Sequence, residues 1–130
     1  MEKKMNSQFA QFINKTYLNL ETFRKSGVSV KTPVWFVQDG NTLYVRTVDG
    51  SGKVKRVRNN SLVNVVPCSM NGEPQGEWEN ATAVLVGGDE AKHVEKLLDR
   101  KYGLMGKLFG IQGKIKKTAY ATIKIEAEQQ

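Results

Sequence analysis

The residues best suited to chemistry lie in one run, Tyr44-Val45-Arg46-Thr47-Val48-Asp49-Gly50-Ser51-Gly52-Lys53-Val54-Lys55-Arg56. An alternating strand pattern passes through an Asp/Gly/Ser turn into a helical segment whose first turn is basic. Such a junction can build a phosphate site. Ser51 can cap the helix, the first backbone N–H groups have no partner within it, and Lys53 brings a positive charge to the same place. A nucleotide-triphosphate P-loop is excluded, because it needs Gly six residues before the Lys and Ser or Thr after it, and these positions hold Thr47 and Val54. A single phosphate, as on a flavin-type cofactor, fits better. A hairpin-to-helix turn with a solvated basic face accounts for the same residues, and the stretch alone leaves both readings open.

A second constellation surrounds Pro33. A proline within a strand cannot donate to the ladder, so its strand belongs at an edge or carries a bulge. Thr32-Pro33-Val34-Trp35 could then offer backbone groups to the rim of a planar heterocycle, with Trp35 or Phe36 bounding it; edge protection by Pro33 and a core role for Trp35 explain the same residues. Other chemistries have little material. His93 is the sole histidine, which leaves nothing for a Ser-His-Asp triad or a histidine-rich metal site. Glu77 and Glu79 alternate along a strand and read as a solvated face. Hydride transfer asks less of the protein, because the cofactor carries the chemistry while the chain binds, orients and excludes water.

The elements that must position these groups follow from the patterning. Phe9, Phe12 and Ile13 predict a short amphipathic helix over 7–15, packed on the body. Residues 17–23 and 28–37 read as strands joined by a hairpin-type loop, and 42–47 as a third. Val54 and Val57 give the following helix a narrow apolar face that Asn59-Asn60 terminates. Residues 62–66 form a buried run. From 78 to 86, Ala81, Ala83 and Leu85 alternate with Asn80, Thr82 and Val84, and from 118 to 126 Ala119, Ala121, Ile123 and Ile125 alternate with Tyr120, Thr122, Lys124 and Glu126. Asp89 is a candidate N-cap for a helix over 90–101 with Ala91, Val94, Leu97 and Leu98 inward, and a further helix spans 104–111. Six mostly hairpin-connected strands and three or four helices predict a mainly β fold, a small closed or split barrel, as one domain over 1–130. Loops between the first three strands are too short for parallel crossovers.

The 130 residues suffice for a core with a ligand cleft. Twenty Lys plus Arg against thirteen Asp plus Glu give +7, concentrated in 46–58 and 92–117, and imply an anionic partner. Cys68, the one cysteine, excludes an internal disulfide, fits a reducing cytoplasm and reads as a small buried filler. Neither a signal peptide nor an apolar run of about 20 residues is visible, so a soluble, cytoplasmic protein is expected.

Taken in order, Thr32 to Phe36, Leu43 to Thr47, Ser51 to Asn60 and Val66-Pro67-Cys68 resemble the pyridoxamine 5′-phosphate oxidase-like split-barrel family. Within it the chain is most similar to the small group thought to use the deazaflavin coenzyme F420, and the likeness covers about residues 15–126. The resemblance implies a six-stranded, Greek-key split β-barrel, usually a homodimer with cofactor sites along the subunit interface. It implies that Thr47, Ser51 and Lys53 grip the cofactor phosphate within the segment that includes Arg46 and Gly52, that Lys55 and Arg56 assist, and that Thr32, Pro33, Val34 and Trp35 line the ring. The chain lacks the C-terminal extension of the true pyridoxamine phosphate oxidases, which argues against vitamin B6 chemistry.

The leading expectation is an oxidoreductase moving a hydride between reduced F420 and a small unsaturated or quinone-like substrate. Tyr44, Tyr120 or solvent could supply a proton, and the catalytic residues stay unassigned. FMN is the alternative cofactor, in a flavin oxidoreductase or a non-catalytic flavoprotein, because both cofactors share a ribityl phosphate and a tricyclic ring. A third reading is a basic barrel binding single-stranded nucleic acid through Arg46, Lys55, Arg56 and surface aromatics. It is disfavoured because Tyr17, Trp35, Phe36 and Trp78 mostly sit in apolar patterns.

Overall fold

The computed structural model describes residues 9–116 and 119–128, without the side chains of 104–116. Seven strands are present: β1 (Tyr17–Phe23), β2 (Ser29–Trp35), β3 (Val37–Asp39), β4 (Thr42–Val48), β5 (Leu62–Cys68), β6 (Glu79–Val86) and β7 (Tyr120–Ala127). Helix α1 (Gly52–Asn59) follows β4, and α2 (Gly88–Lys116) joins β6 to β7. The strands form one antiparallel sheet in the order β2-β1-β5-β6-β7-β4-β3.

The expected strand over 28–37 is two strands, which raises the count from six to seven. β2 lies at one edge of the sheet and β3 at the other, yet only Phe36 separates them in the chain. The sheet therefore curls until its two edges are consecutive pieces of one segment, which is the split of the barrel. At the switch Phe36 is wholly buried. Its peptide groups are satisfied from α2: Phe36 N–H donates to the Tyr102 hydroxyl at 3.0 Å, and Lys101 Nζ donates to Phe36 O at 2.8 Å. The same hydroxyl lies 2.8 Å from Phe36 O and 2.7 Å from Thr16 O, so a single O–H ties the break to the start of β1. Pro33 sits on edge strand β2, where a missing N–H is tolerated.

The alternation seen in the sequence sorts the barrel's two faces. Leu18 and Leu20, Leu43 and Val45, Val63 and Val65, Ala81 and Ala83, and Ile123 and Ile125 converge on one core. The register sets Leu43 against Ile125, Val45 against Ile123, and Val63 against Ala81. Val54 and Val57 of α1 are buried at the end where β1 finishes, each burial contributing roughly 1.5–3 kcal/mol. Outside the sheet, Val94 and Leu98 of α2 cover Val37 and Tyr44. Buried Cys68 is the expected filler, its thiol pKa raised by burial.

Two local expectations are corrected. Over 7–15 the described part holds only a three-residue 3-10 turn, Ala10–Phe12. Phe9 and Phe12 enter the core, but Ile13 is 59% exposed and Asn14, at φ 64°, stops the turn before β1. Asp89 is inside the first turn of α2 and not its cap, because Gly87 O already accepts from Ala91 N–H at 3.4 Å. The two helical segments expected over 90–101 and 104–111 are both present within Gly88–Lys116, divided by a kink at Gly103, where φ 55°, ψ −128° is non-helical. Thr118, expected to open the last strand, lies outside the described residues.

Candidate functional site

Where β4 ends, Gly50 (φ 81°) turns the chain and Ser51 N–H closes the turn on Val48 O at 3.1 Å. Ser51 then occupies the N-cap position of α1, its carbonyl accepting from Lys55 N–H at 3.2 Å. The expected side-chain cap does not form. Ser51 Oγ is closed off from solvent and, among the described residues, has no hydrogen-bond partner. A buried hydroxyl without a partner is costly, so this atom has an open valence at the positive end of a helix.

Two cations share this helix end. Burial, followed by the nearby charge of Arg56, holds the Lys53 pKa below its ordinary value. Arg56 donates from Nε to Thr22 Oγ1 at 2.6 Å, and its guanidinium folds back over Gly52, where an added Cβ would come within 2.6 Å of Nη1. Burial, then the charge of Arg24, lowers the Arg56 pKa as well. Among the described residues, neither cation has a carboxylate partner. The structure thus brings Ser51, Gly52, Lys53 and Arg56 together, with Thr47 half-buried just upstream on the core-facing alternation of β4.

Arg46 and Lys55 stand apart from that group. Arg46 faces α2, 3.9 Å from the Glu95 carboxylate and 4.6 Å over the Tyr120 ring, while Lys55 is exposed. Along β2, Thr32 and Val34 sit opposite Leu20 and Leu18, and exposed Pro33 sits opposite Asn19. Trp35 stacks on Tyr102 at 4.2 Å and 8°, so one face of its ring is already covered. Phe36 is in the core and cannot bound a ligand. Val30, opposite the Thr22 that Arg56 holds, is five residues from Trp35, or about 16 Å of strand. The phosphate-type cluster and the Thr32–Trp35 segment are therefore linked through paired strands β1 and β2.

Sequence reasoning missed Thr22, Lys101 and Tyr102. A threonine continuing the inward series Leu18, Leu20, Thr22 was a usable signal; the other two act across 65 and 66 residues and left none. The candidate proton donors differ in setting. Buried Tyr44 donates to Glu90 at 2.7 Å, its pKa raised by burial and then by that bond, whereas Tyr120 is 39% exposed. His93 pairs with Asp39 at 3.0 Å, and among the described residues no group of three His, Cys, Asp or Glu could hold a metal. No helix among them is long and apolar enough to cross a membrane.

By sequence, no family model and no curated protein matches the chain. Solved structures do. A Listeria innocua protein provisionally described as a pyridoxamine 5′-phosphate oxidase superposes with a TM-score of 0.60 at 20% identity, over 98% of this chain and 94% of that one. An F420-H2-dependent reductase, FDR-A, gives 0.66 at 17% identity over 85% and 94%. The fold is the split barrel of pyridoxamine 5′-phosphate oxidase-like proteins. The chain is also similar to HutZ, a haem storage protein of Vibrio cholerae, with a TM-score of 0.69 at 16% identity over 90% of this chain and 84% of that one.

Proposed function

We propose that this protein is an oxidoreductase that holds a flavin-type cofactor, F420 or FMN, by its phosphate at the N-terminus of α1. The observation that carries the reading is the buried Ser51 hydroxyl beside Lys53 and Arg56, the hydroxyl without a hydrogen-bond partner and the two cations without a carboxylate partner among the described residues. An anionic oxygen would fill the open valence, meet the free N–H groups of the helix end and neutralise charge held out of water. Because the hydroxyl is covered, the surrounding side chains would part as the phosphate enters. Thr47 flanks the site, Gly52 leaves room for the Arg56 guanidinium, and exposed Lys55 and partly covered Arg46 contribute long-range attraction.

When bound, the cofactor supplies the hydride chemistry. The chain's part is to bind and orient. Thr32, Pro33, Val34 and Trp35 line the ring, and the Tyr102 stack fixes the plane of Trp35. Tyr44 lies beneath α2 with its proton committed to Glu90, so solvent is the proton source for a small unsaturated or quinone-like acceptor. A homodimer fits the exposed Leu62 and Val84 on the outer face of the sheet, and light scattering tests it. No observation favours the nucleic-acid reading, since Arg46 is engaged with Glu95 and Tyr120 while Trp35 is stacked.

Lys53→Ala tests the assignment. Loss of a charge-assisted hydrogen bond of roughly 1.5–3 kcal/mol should weaken F420 or FMN about 10- to 100-fold in a fluorescence titration. Unchanged affinity would remove Lys53 from the site.

A further inference from the structure

At the other end of β1 a cleft of about 760 Å³ opens between the Phe12–Thr16 segment, β3 and the Lys101-Tyr102 pair. We propose that this cleft is a second ligand site, which binds a small organic acid, a flat apolar body bearing one carboxylate, with Lys101 as the cation that receives it. Thr16 is six residues from Thr22, about 20 Å along the strand, so the cleft is apart from the helix end where Arg56 sits, and it borders the proposed ring-lining segment only through the stack of Tyr102 on Trp35.

Its lining states the ligand's chemistry. Phe12, Ile13 and Val37 supply apolar wall, Lys15 and Lys101 supply positive charge, and no lining residue is acidic. The volume lies within the range usual for small-molecule sites. Lys101 Nζ sits 3.6 Å over the Phe36 ring and 5.3 Å from the Tyr102 ring, with one hydrogen bond, to Phe36 O. An ammonium has three N–H donors, so two remain for a ligand. The Phe36 carbonyl also lies 2.8 Å from the Tyr102 hydroxyl, so Lys101 is not its sole neighbouring donor. Among the described residues, no carboxylate pairs with Lys101, and burial lowers its pKa to about 8. A carboxylate entering from the cleft supplies the missing counter-charge, while its apolar body lies on the aromatic and aliphatic wall.

The probes are benzoate, cinnamate and indole-3-acetate, with cinnamamide as a neutral isostere, followed by chemical-shift titration of the wild-type protein and two variants. Lys101→Met removes the cation. Ile13→Glu places a negative charge at an exposed rim position, 59% accessible, where folding is not at stake. At least one carboxylate should bind, about tenfold or more tighter than cinnamamide, and each variant should weaken it about tenfold or more. Saturating FMN should leave that binding unchanged. Binding by none of the three acids, equal binding of cinnamate and cinnamamide, wild-type affinity in Ile13→Glu, or displacement by FMN would each overturn the proposal. The carboxylate should bind even if FMN does not, so failure of the cofactor reading is distinguishable from failure of this one.

Discussion

Ser51→Ala should move stability and cofactor affinity in opposite directions. The Ser51 hydroxyl is covered and makes no hydrogen bond, so the cofactor-free fold bears the desolvation of a polar atom with nothing in return. Losing an N-cap serine ordinarily costs about 1 kcal/mol because a side-chain-to-backbone bond disappears, but here there is no such bond to lose. Removing an unsatisfied buried hydroxyl recovers on the order of 1 kcal/mol. For a domain of this size that is about 4 °C in Tm. Binding should suffer instead, because a hydroxyl donating to a phosphate is worth roughly 1.5–3 kcal/mol, or about 10- to 100-fold in Kd. Urea unfolding of the cofactor-free protein and fluorescence titration of the same sample read the two quantities. A variant destabilised by about 1 kcal/mol would show that Ser51 caps α1 after all, and unaltered affinity would take its hydroxyl out of the phosphate site.

Two further outcomes follow from the seam at Phe36 and from the two lysines whose pKa values are lowered. Tyr102→Phe keeps the stack on Trp35 but strands the Phe36 N–H, and should cost about 2 kcal/mol, near 8 °C in Tm; a shift under about 2 °C would mean that the seam is held by other contacts. Lys101 is held to about 8 and Lys53 is also lowered, so above pH 8 the unfolded chain binds more protons than the folded one and stability should rise with pH. That rise should end near pH 10, where the raised pKa values of Tyr44 and Tyr102 reverse the sign. Urea midpoints measured from neutral pH to about pH 10 should climb in the wild type and flatten in Lys101→Met; a wild-type midpoint that falls over this window would contradict the burial of both ammonium groups.

How much of this could be read from the chain varies by element, for physical reasons. In the last strand apolar Ile123 and Ile125 alternate with polar Thr122, Lys124 and Glu126, so period two is plain in the sequence although Thr122 is buried as well. Val54 and Val57 mark the buried side of α1 in the same way. Val34-Trp35-Phe36-Val37 is apolar throughout, because both faces are covered there, and nothing in the run marks the residue at which the chain changes sheet edge. Phe9, Phe12 and Ile13 have helical spacing, but Asn14 in the left-handed region ends the turn and leaves Ile13 in solvent. For the candidate site, Asp49-Gly50-Ser51-Gly52 with Lys53 is one local segment, so the turn and the helix start it forms are legible in the sequence. Its Thr22 support and the Lys101-Tyr102 clasp depend on chain closure across long separations, which no local pattern encodes. Arg46 was read with the phosphate group from proximity in sequence, yet strand alternation turns it toward α2.

The phosphate at the α1 N-terminus is the central claim, and a side-by-side titration of cofactor-free protein with FMN, F420 and riboflavin addresses it directly. Riboflavin has the ring and ribityl chain of FMN without the phosphate. The account expects FMN or F420 to bind at least about 100-fold more tightly than riboflavin, with the preference lost in Lys53→Ala. Riboflavin binding as tightly as FMN, or no binding of any of the three, would contradict it.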